Sequence, residues 1–483
     1  MGESSGEGPP GPLAADRHDG RDDGQNGRDG QDGCDGQDGG TPHAPEGELG
    51  LAQATALVVG NIVGTGIFLL PAALAAFGTI SILAFGVVTV GAIALAVVFG
   101  RLGARLPAAG GPYAYSRDAF GEFPGFLNAW SFWITAWAGN AGIAFAWVGY
   151  VNYFLHWDST LGKVAIGLFG LCLPALINLS GVRNMGTFQL VTAVLKFLPL
   201  IFISVVGLAF VRTADFGPFN ATGNSWPAAL SGAAALVLFA YSGVESATVA
   251  AEKVRDPVRN IARASVFGCL ACAALYMLST VAVFGTVPHD ELVASEAPFA
   301  DAVDNMFGGG VWGGVMAACA VVSGIGALNG WTMLVAEMPM ASARDGLFPS
   351  VFAKVNARNV PYVGILAGTL FASVTFVAAF SAVNAFSAIL LLATFTTAVP
   401  YMFSAAAQLF WLVTRGRRAE RRHMARDVTV AAIALLFTFW MVVGAGTHAV
   451  FQGTLMLLAG IPVYIWIKAS RGEYGVDRTK EIK

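Results

Sequence analysis

The chain has 483 residues, of which 55% are hydrophobic and a further 59 are glycine, whereas only 12% are charged. Soluble proteins carry about 25% charged residues, so this composition argues against a soluble globular protein and predicts a polytopic membrane protein. The formal net charge of -3, without a basic stripe, argues against nucleic acid as a partner.

The N-terminal segment differs in composition from the rest. Residues 1–48 carry twelve Asp or Glu and three Arg, and they are rich in Gly, Asp and Gln. With almost no large apolar side chain to bury, this segment is predicted to be a disordered acidic tail. The regularly spaced Asp29, Asp32, Asp35 and Asp38 lack the closing Glu of a calcium-binding loop, so we interpret them as low-complexity sequence. No apolar segment follows Met1, and we expect no cleavable signal peptide.

Apolar runs long enough to cross a bilayer, about 20 residues each, recur along the remaining chain. We predict twelve spans, at 50–76, 79–103, 124–154, 161–180, 184–212, 226–250, 261–287, 311–340, 361–380, 384–414, 427–446 and 448–468. The chain is therefore predicted to be all-α, with a membrane domain at 49–468 between the tail 1–48 and a second tail at 469–483. Cys269 and Cys272 form a C-x-x-C pair inside one span, where cysteine acts as a small packing residue.

The basic residues predict the orientation of these spans. With the N-terminus inside, 22 of the 25 Lys and Arg beyond the acidic tail lie in inner loops, and only Lys163 and Arg212 lie outside. Lys196 falls within a span. This asymmetry follows the positive-inside rule and predicts a plasma (inner) membrane protein with both termini in the cytoplasm.

Two spans contain sequences that weaken a helix. Residues 60–68 of span one include three glycines, each costing about 1 kcal/mol relative to Ala in a helix. Residues 239–246 of span six are again small and polar. Small-residue helix packing is one interpretation. The other is that both helices are broken, because an offset of five spans makes two inverted repeats of five spans meet near the midplane, as in secondary transporters.

Broken helices would expose backbone groups inside a cavity, since lipid cannot satisfy them. N–H groups at the start of a half-helix suit a carboxylate; the candidates are Gly64, Thr65 and Gly66. Carbonyls at the end of a half-helix suit an ammonium; the candidates are Ile62, Phe239 and Ser242. A small zwitterion matches both, so the sequence predicts an α-amino acid or a related amine as substrate.

Four segments then carry a family resemblance: GNIVGTGIFLLP, PAAGGPYAYSRDAFG, FAYSGVESATVAAEKVRDPVRNIARA and GWTMLVAEMPMASARDGLFP. They resemble the amino acid–polyamine–organocation transporters, and most of all the basic amino acid/polyamine antiporters, which include arginine/agmatine and putrescine/ornithine exchangers. The resemblance runs from about residue 50 to 468. It implies ten core helices in inverted repeats and two additional helices.

The resemblance also implies roles for individual residues. Together with the backbone argument above, it gives the predicted substrate-binding set Asn61, Ile62, Gly64, Thr65, Gly66, Asn140, Phe239, Ser242 and Trp331. Within that set, Asn140 and Trp331 match positions that hold the substrate side chain in arginine exchangers. Glu245 and Tyr401 match inner gating residues, and Phe132 stands where a gating tyrosine occurs. Ala136 and Ala393 replace small polar contacts, which leaves ornithine, a polyamine or a neutral amino acid as alternatives to arginine.

Three ionisable residues lie at membrane depth, each costing about 2.5–3.5 kcal/mol at a helix centre: Lys196, Glu245 and Glu337. Glu337 either serves the inner substrate path or pairs with an inner arginine. Glu245 follows the span-six break, and desolvation favours its protonated form, so we predict a proton-sensitive gate. Lys196 stands where some sodium-independent relatives place a lysine in lieu of sodium, and we therefore expect no sodium dependence. The alternative interpretation is that the Lys196 side chain snorkels, with its ammonium extending to the membrane surface.

The predicted function is antiport of an amino acid or polyamine, and a proton-coupled amino acid symporter is the alternative. No catalytic constellation or metal motif stands out in the sequence, so neither an enzyme nor a cofactor is predicted. A channel is disfavoured because the spans offer too few polar faces for a continuous pore. The expected partners are the substrate and the lipid bilayer, with a homodimer as a candidate assembly.

Overall fold

The computed structural model describes residues 50–64, 66–106, 110–157, 159–181, 196–249, 254–380, 384–415 and 421–472. Every regular element within these ranges is a helix, as predicted. The acidic tail 1–48 and the last eleven residues of the tail 469–483 lie outside the described residues.

The helices have the following bounds: α1 Leu51–Ile62, α2 Gly66–Ala75, α3 Ile80–Arg105, α4 Pro112–Phe120, α5 Glu122–Leu155, α6 Thr160–Leu179, α7 Lys196–Phe210, α8 Trp226–Ala240, α9 Ser246–Val249, α10 Pro257–Phe284, α11 His289–Ala294, α12 Pro298–Phe307, α13 Val311–Arg344, α14 Tyr362–Ala379, α15 Ala385–Arg415, α16 Arg421–Gly444, α17 Gly446–Leu458 and α18 Gly460–Ser470. The last four residues of α7, Gly207–Phe210, form a 3-10 turn, and further 3-10 turns occur at Thr213–Phe216 and Ser350–Ala353.

Several helices are long and apolar enough to cross a membrane. Among the described residues there are eight, counting α17 and α18 as one, and a ninth if α1 and α2 form a single span bent by 51°. The helices α7 and α8 are apolar but shorter. Large apolar side chains on the outside, such as Leu161 (80% exposed) and Val311 (78% exposed), suit lipid rather than water. The chain is thus a multi-pass membrane protein.

The helices pack in two groups. In one, α10 contacts α1 and α3, and α3 contacts α8; in the other, α5 contacts α6, α13 and α14. The long helix α15 packs on both α5 and α8, so it joins the groups. Phe239, the penultimate residue of α8, contacts the apolar cores of both groups. The region around Phe239 is therefore where the two groups meet.

The short helix α4 is fixed to the end of α13 by charge. The Arg117 guanidinium lies 3.0 Å from the Asp345 carboxylate, and the Tyr113 hydroxyl donates to the same carboxylate at 3.1 Å. Burial raises the pKa of Tyr113 well above its usual value, and the neighbouring charge of Asp345 raises it further. The hydroxyl therefore remains a proton donor. Two donors of α4 thus share one acceptor at this helix junction.

Candidate functional site

The first predicted interruption lies between α1 and α2. The α1 helix ends at Ile62, and α2 starts at Gly66. The Val63 N–H still donates to the Val59 carbonyl at 2.9 Å, but the Gly64 N–H turns back to the Ile62 carbonyl at 2.8 Å. Thr65, a predicted ligand of the substrate carboxylate, lies outside the described residues. The helical ladder therefore stops where the glycines of this segment lower helix propensity.

The second predicted interruption follows α8. That helix ends at Ala240, a turn covers 241–245, and α9 starts at Ser246. Gly243 within the turn has φ +109°, a backbone conformation that only glycine adopts without strain. The Ser242 N–H donates to the Phe239 carbonyl at 3.1 Å. Both spans that the sequence singled out are thus discontinuous.

The two interruptions contact each other through glycine. A Cβ atom on Gly243 would lie 2.9 Å from the backbone carbonyl carbon of Asn61 and 3.1 Å from the Ile62 nitrogen. A Cβ on Gly66 would lie 3.0 Å from Cε1 of the Phe239 ring. The approach of Gly243 to Asn61 is closer than real Cβ atoms make, so a side chain there would push the two backbones apart, and the approach of Gly66 to the Phe239 ring is tighter than most Cβ contacts.

A small cavity lies at this contact. Its walls are Ile62, Gly64, Gly66, Ile67, Ile143, Phe239, Ala240, Ser242, Tyr276 and Trp331. Six of these were predicted from the sequence: Ile62, Gly64, Gly66, Phe239, Ser242 and Trp331. The cavity holds about 20 Å³, little more than one water molecule. An amino acid would therefore fit only after the two helix groups separate.

Tyr276 is a wall residue that the sequence analysis missed. It is fully buried in α10, and its hydroxyl donates to the Ile62 carbonyl at 2.9 Å. This carbonyl also accepts from Gly64, so the predicted ammonium acceptor already has two donors in this conformation. Tyr276 lies 214 positions from Ile62, and no local pattern in the sequence links the two residues.

The predicted gating residues Glu245 and Tyr401 are in direct contact. The Tyr401 hydroxyl donates to Glu245 Oε2 at 2.5 Å, and the Gly243 N–H donates to the same oxygen at 3.1 Å. Glu245 is 3% exposed, and the Tyr401 ring packs edge-on against Phe99. Since Gly243 also touches α1, one turn carries both the carboxyl group and the contact between the interruptions.

Phe132 is not part of this contact pair. It is buried in α5, within the apolar core that includes Trp133 and Ile134. Its neighbourhood belongs to the second helix group, whereas Glu245 follows α8 in the first. A gating role for Phe132 stays a prediction.

Lys196, the first described residue of α7, reaches α1. Its side chain is 1% exposed, and its ammonium donates to the Gly60 carbonyl. A second small cavity beside it is lined by Asn61, Val63 and Trp331 among others. The lysine therefore binds the last turn of α1 rather than extending to a membrane surface, which disagrees with a snorkelling side chain.

Two buried polar atoms near the cavity have no hydrogen-bond partner within the described part of the chain. They are Oδ1 of Asn140, in α5, and Oγ of Ser242. Asn140 is 2% exposed and does not line the cavity itself, but its neighbour Gly139 faces the Phe239 ring. Buried polar atoms without partners are costly, so both atoms are suited to accept a donor from a bound ligand.

Comparison with known proteins places this geometry in context. The sequence profile of a family described as amino acid permease matches residues 49–466. The chain is 30% identical to the putrescine transporter PotE of Haemophilus influenzae, covering 87% of this chain and 97% of that protein. It is 30% identical to a putative arginine/ornithine antiporter of Bacillus subtilis, covering 86% and 95%. It is 26% identical to an arginine/agmatine antiporter of Chlamydia pneumoniae, covering 86% and 89%.

Proposed function

Because the chain belongs to the amino acid permease family, we propose that it is a sodium-independent antiporter of basic amino acids or their decarboxylated amines. The observation that carries this proposal is the contact between the two helix interruptions, where Gly243 meets the Asn61–Ile62 backbone. Irregular backbone at membrane depth is tolerated where it lines a cavity, and the walls of this cavity belong to both helix groups. Relatives named as transporters and antiporters of putrescine, arginine and ornithine support the substrate class.

In the proposed bound state the substrate lies at the start of α2. Its carboxylate binds N–H groups of Thr65 and Gly66, where the positive end of the half-helix dipole favours an anion. Its ammonium binds the carbonyls of Ile62, Phe239 and Ser242. The Ile62 carbonyl already accepts from Tyr276 and Gly64, which uses both of its lone pairs, so it has to release one of these donors before it binds the ammonium.

The substrate side chain is proposed to extend toward Trp331 and Asn140. The Trp331 ring lines the cavity, and an aromatic face attracts a cation with about 0.5–2 kcal/mol. The unpartnered Oδ1 of Asn140 supplies an acceptor for a distal ammonium or guanidinium. Discrimination between these two groups depends on how many further acceptors the opened cavity offers.

Glu245 is the proposed proton-sensitive gate, with Tyr401 as its partner. The carboxylate accepts from both Tyr401 and Gly243, so its protonation would weaken two hydrogen bonds at the turn that contacts α1. Phe132 is proposed to act on the same inner path. Lys196 is proposed to replace a sodium ion, because its ammonium binds a carbonyl of α1 from within the protein.

We further propose a topology of twelve spans in two inverted repeats of five plus two more. The eight long helices and the bent α1–α2 pair account for nine, and α5, α7 and the α8–α9 pair would complete the count. The distribution of Lys and Arg supports a cytoplasmic location of both termini. Residues 1–48 and 469–483 are then cytoplasmic tails flanking the membrane domain.

Counterflow in proteoliposomes tests the exchange. Vesicles preloaded with unlabelled arginine, ornithine or putrescine should take up the labelled compound, whereas empty vesicles should not. Replacing external sodium by choline should leave the rate unchanged. Uptake that needs no internal substrate but depends on an imposed proton gradient would rule out antiport and favour a proton-coupled symporter. The mostly apolar cavity wall favours that second candidate for neutral amino acids.

A further inference from the structure

A second and larger cavity lies beside the proposed substrate site. It holds about 240 Å³, about eight times the ~30 Å³ that a water molecule occupies in the liquid. The helices α2 and α5 line both spaces: Gly66 and Ile143 face the small inner cavity, while Leu69 and Val148 face the larger one. Since Leu69 and Val148 lie about one turn further along their helices, on the outer side in the proposed topology, we call the larger space the outer cavity.

The walls of the outer cavity combine an apolar part with two opposite charges. The apolar part includes Leu69, Val148 and the rings of Phe145 and Phe380, whose centroids are 5.2 Å apart. The charged part consists of Lys163 in α6 and Glu296, which form an ion pair with 2.5 Å between nitrogen and oxygen. Both charges therefore face a space large enough for a small organic molecule.

The backbone fixes the positions of these two charged residues. Lys163 lies in the first turn of α6, where its N–H donates to the Ser159 carbonyl at 3.1 Å. Glu296 belongs to the segment 289–307, which contains α11 and α12. A Cβ on Gly149 would lie 2.2 Å from the Glu296 carbonyl oxygen, so glycine at this position allows the segment to approach α5 closely. The ion pair thus joins two elements that both pack on α5.

The ion pair is placed to open for a ligand that carries both charges. The side chains of Lys163 and Glu296 are 20% and 55% exposed, and such partly exposed pairs contribute little to stability. A zwitterionic amino acid offers a carboxylate to Lys163 and an ammonium to Glu296, so it replaces one ion pair by two. A diamine such as putrescine has no carboxylate and would leave the Lys163 ammonium unpaired beside another cation.

We propose that the outer cavity is a second binding site, which holds a zwitterionic amino acid before the inner cavity opens, and that Lys163 makes this site favour amino acids over diamines. The proposal rests on the proposed function in one respect, because the same amino acids then pass to the inner cavity. The aliphatic part of the bound side chain lies along Leu69 and Val148. A distal cationic group lies against the faces of Phe145 and Phe380, which attract a cation.

Competition between substrates tests the selectivity. Vesicles preloaded with ornithine take up labelled ornithine, and external arginine or putrescine competes for uptake. Lys163→Met should weaken competition by arginine about fivefold, the scale of one partly exposed ion pair, without weakening competition by putrescine. Glu296→Gln should weaken both competitors, and Lys163→Arg should retain the preference for arginine.

A matched control separates binding from structural support. Lys468→Met breaks an ion pair with Glu122 whose side chains have similar exposure, 22% and 48%, but which lies away from the outer cavity. This variant should leave the ratio of arginine to putrescine competition unchanged. If Lys163→Met weakens both competitors equally, the ion pair only supports the fold, and the proposed selectivity is overturned.

Thiol labelling locates the bound amino acid. Thr160, in the wall of the outer cavity, is replaced by Cys in the full chain lacking its five native cysteines, and a water-soluble maleimide is added. Arginine should slow labelling several-fold, whereas putrescine at the same concentration should not. Because arginine in the inner cavity also affects labelling, the decisive background is Gly66→Leu, whose side chain enters the inner cavity beside Phe239.

In folded Gly66→Leu, protection by arginine should persist, and adding Lys163→Met should remove it. Ser242→Leu, at another wall position of the inner cavity, is a second background in case Gly66→Leu does not fold. Loss of protection in these backgrounds would show that arginine acts from the inner cavity, and it would overturn the outer site.

Failure of the proposed function gives a different result. If the unmodified chain exchanges none of arginine, ornithine and putrescine, the proposed antiport fails. Labelling of Gly66→Leu in the presence of arginine still decides the outer site, because that measurement requires binding and no transport. Conversely, exchange by the unmodified chain without protection in Gly66→Leu would leave antiport standing and refute the outer site.

Discussion

Replacing Gly243 by Ala tests the contact between the two interruptions. The substitution has two separate costs. At φ +109° an L-residue is strained, and left-handed backbone costs about 1–2 kcal/mol. In addition, the new Cβ would lie 2.9 Å from the Asn61 carbonyl carbon, so the backbone of one broken span has to move.

Gly446 separates these two costs. It is the first residue of α17, with φ +82°, and a Cβ there would meet no atom within 4 Å. Gly446→Ala therefore adds strain without a clash. We expect Gly243→Ala to weaken binding of arginine, ornithine or putrescine at least tenfold, about 1.4 kcal/mol. Gly446→Ala should lower the thermal unfolding midpoint and leave the binding affinity nearly unchanged.

Calorimetry on purified, monodisperse protein measures both affinities, and size-exclusion chromatography checks that each variant is folded. The reasoning fails if folded Gly243→Ala binds substrate as tightly as the unmodified chain. It also fails if Gly446→Ala weakens binding equally, because the loss would then come from general strain rather than from contact with Asn61.

Three further predictions concern charged groups. Glu245→Gln keeps an acceptor for Tyr401 but cannot titrate, so exchange should lose its pH dependence while substrate affinity is retained; a pH profile like that of the unmodified chain would contradict this. Lys196→Met leaves the Gly60 carbonyl without its buried donor, which costs about 1–3 kcal/mol of free energy. We expect the exchange rate to fall at least tenfold, and Lys196→Arg is the control that preserves the charge. Arg117→Asp and Asp345→Arg should each lower the thermal unfolding midpoint slightly, because a partly exposed ion pair contributes about 0.2–1 kcal/mol. The double variant, with the two charges exchanged, should recover most of the lost midpoint. Losses that simply add in the double variant would exclude a direct pair.

The sequence predicts the interruptions because their causes are local. Three glycines between Gly60 and Gly66, and Ser242 followed by Gly243, weaken a helix wherever it packs. The apolar runs likewise predict most of the long helices, since span length depends on bilayer thickness. The family resemblance names Glu245 and Tyr401 as inner gating residues, but no local pattern predicts their contact, since 156 positions separate the two residues.

Contacts between distant residues lie beyond such reasoning. Tyr276 and Tyr150 each bind a backbone carbonyl next to the first interruption, but any buried tyrosine in an apolar span has the same local sequence signal. The pairing of Lys163 with Glu296 is equally invisible, because it depends on how α6 and the 289–307 segment pack around α5. Local propensity identifies where a helix breaks, and tertiary packing decides which side chains satisfy the break.

Lys196 has an electrical consequence for an exchanger. When its side chain is protonated, Lys196 holds a positive charge inside the membrane-spanning part. Moving one elementary charge across a potential of 100 mV changes its electrical energy by about 2.3 kcal/mol. An obligate exchanger reverses every rearrangement on its loaded return, so voltage work on Lys196 cancels over a full cycle. Steady current then reports only the difference in charge between the two cargoes. Swapping arginine for ornithine should be electrically silent, whereas swapping either for putrescine should respond to membrane potential.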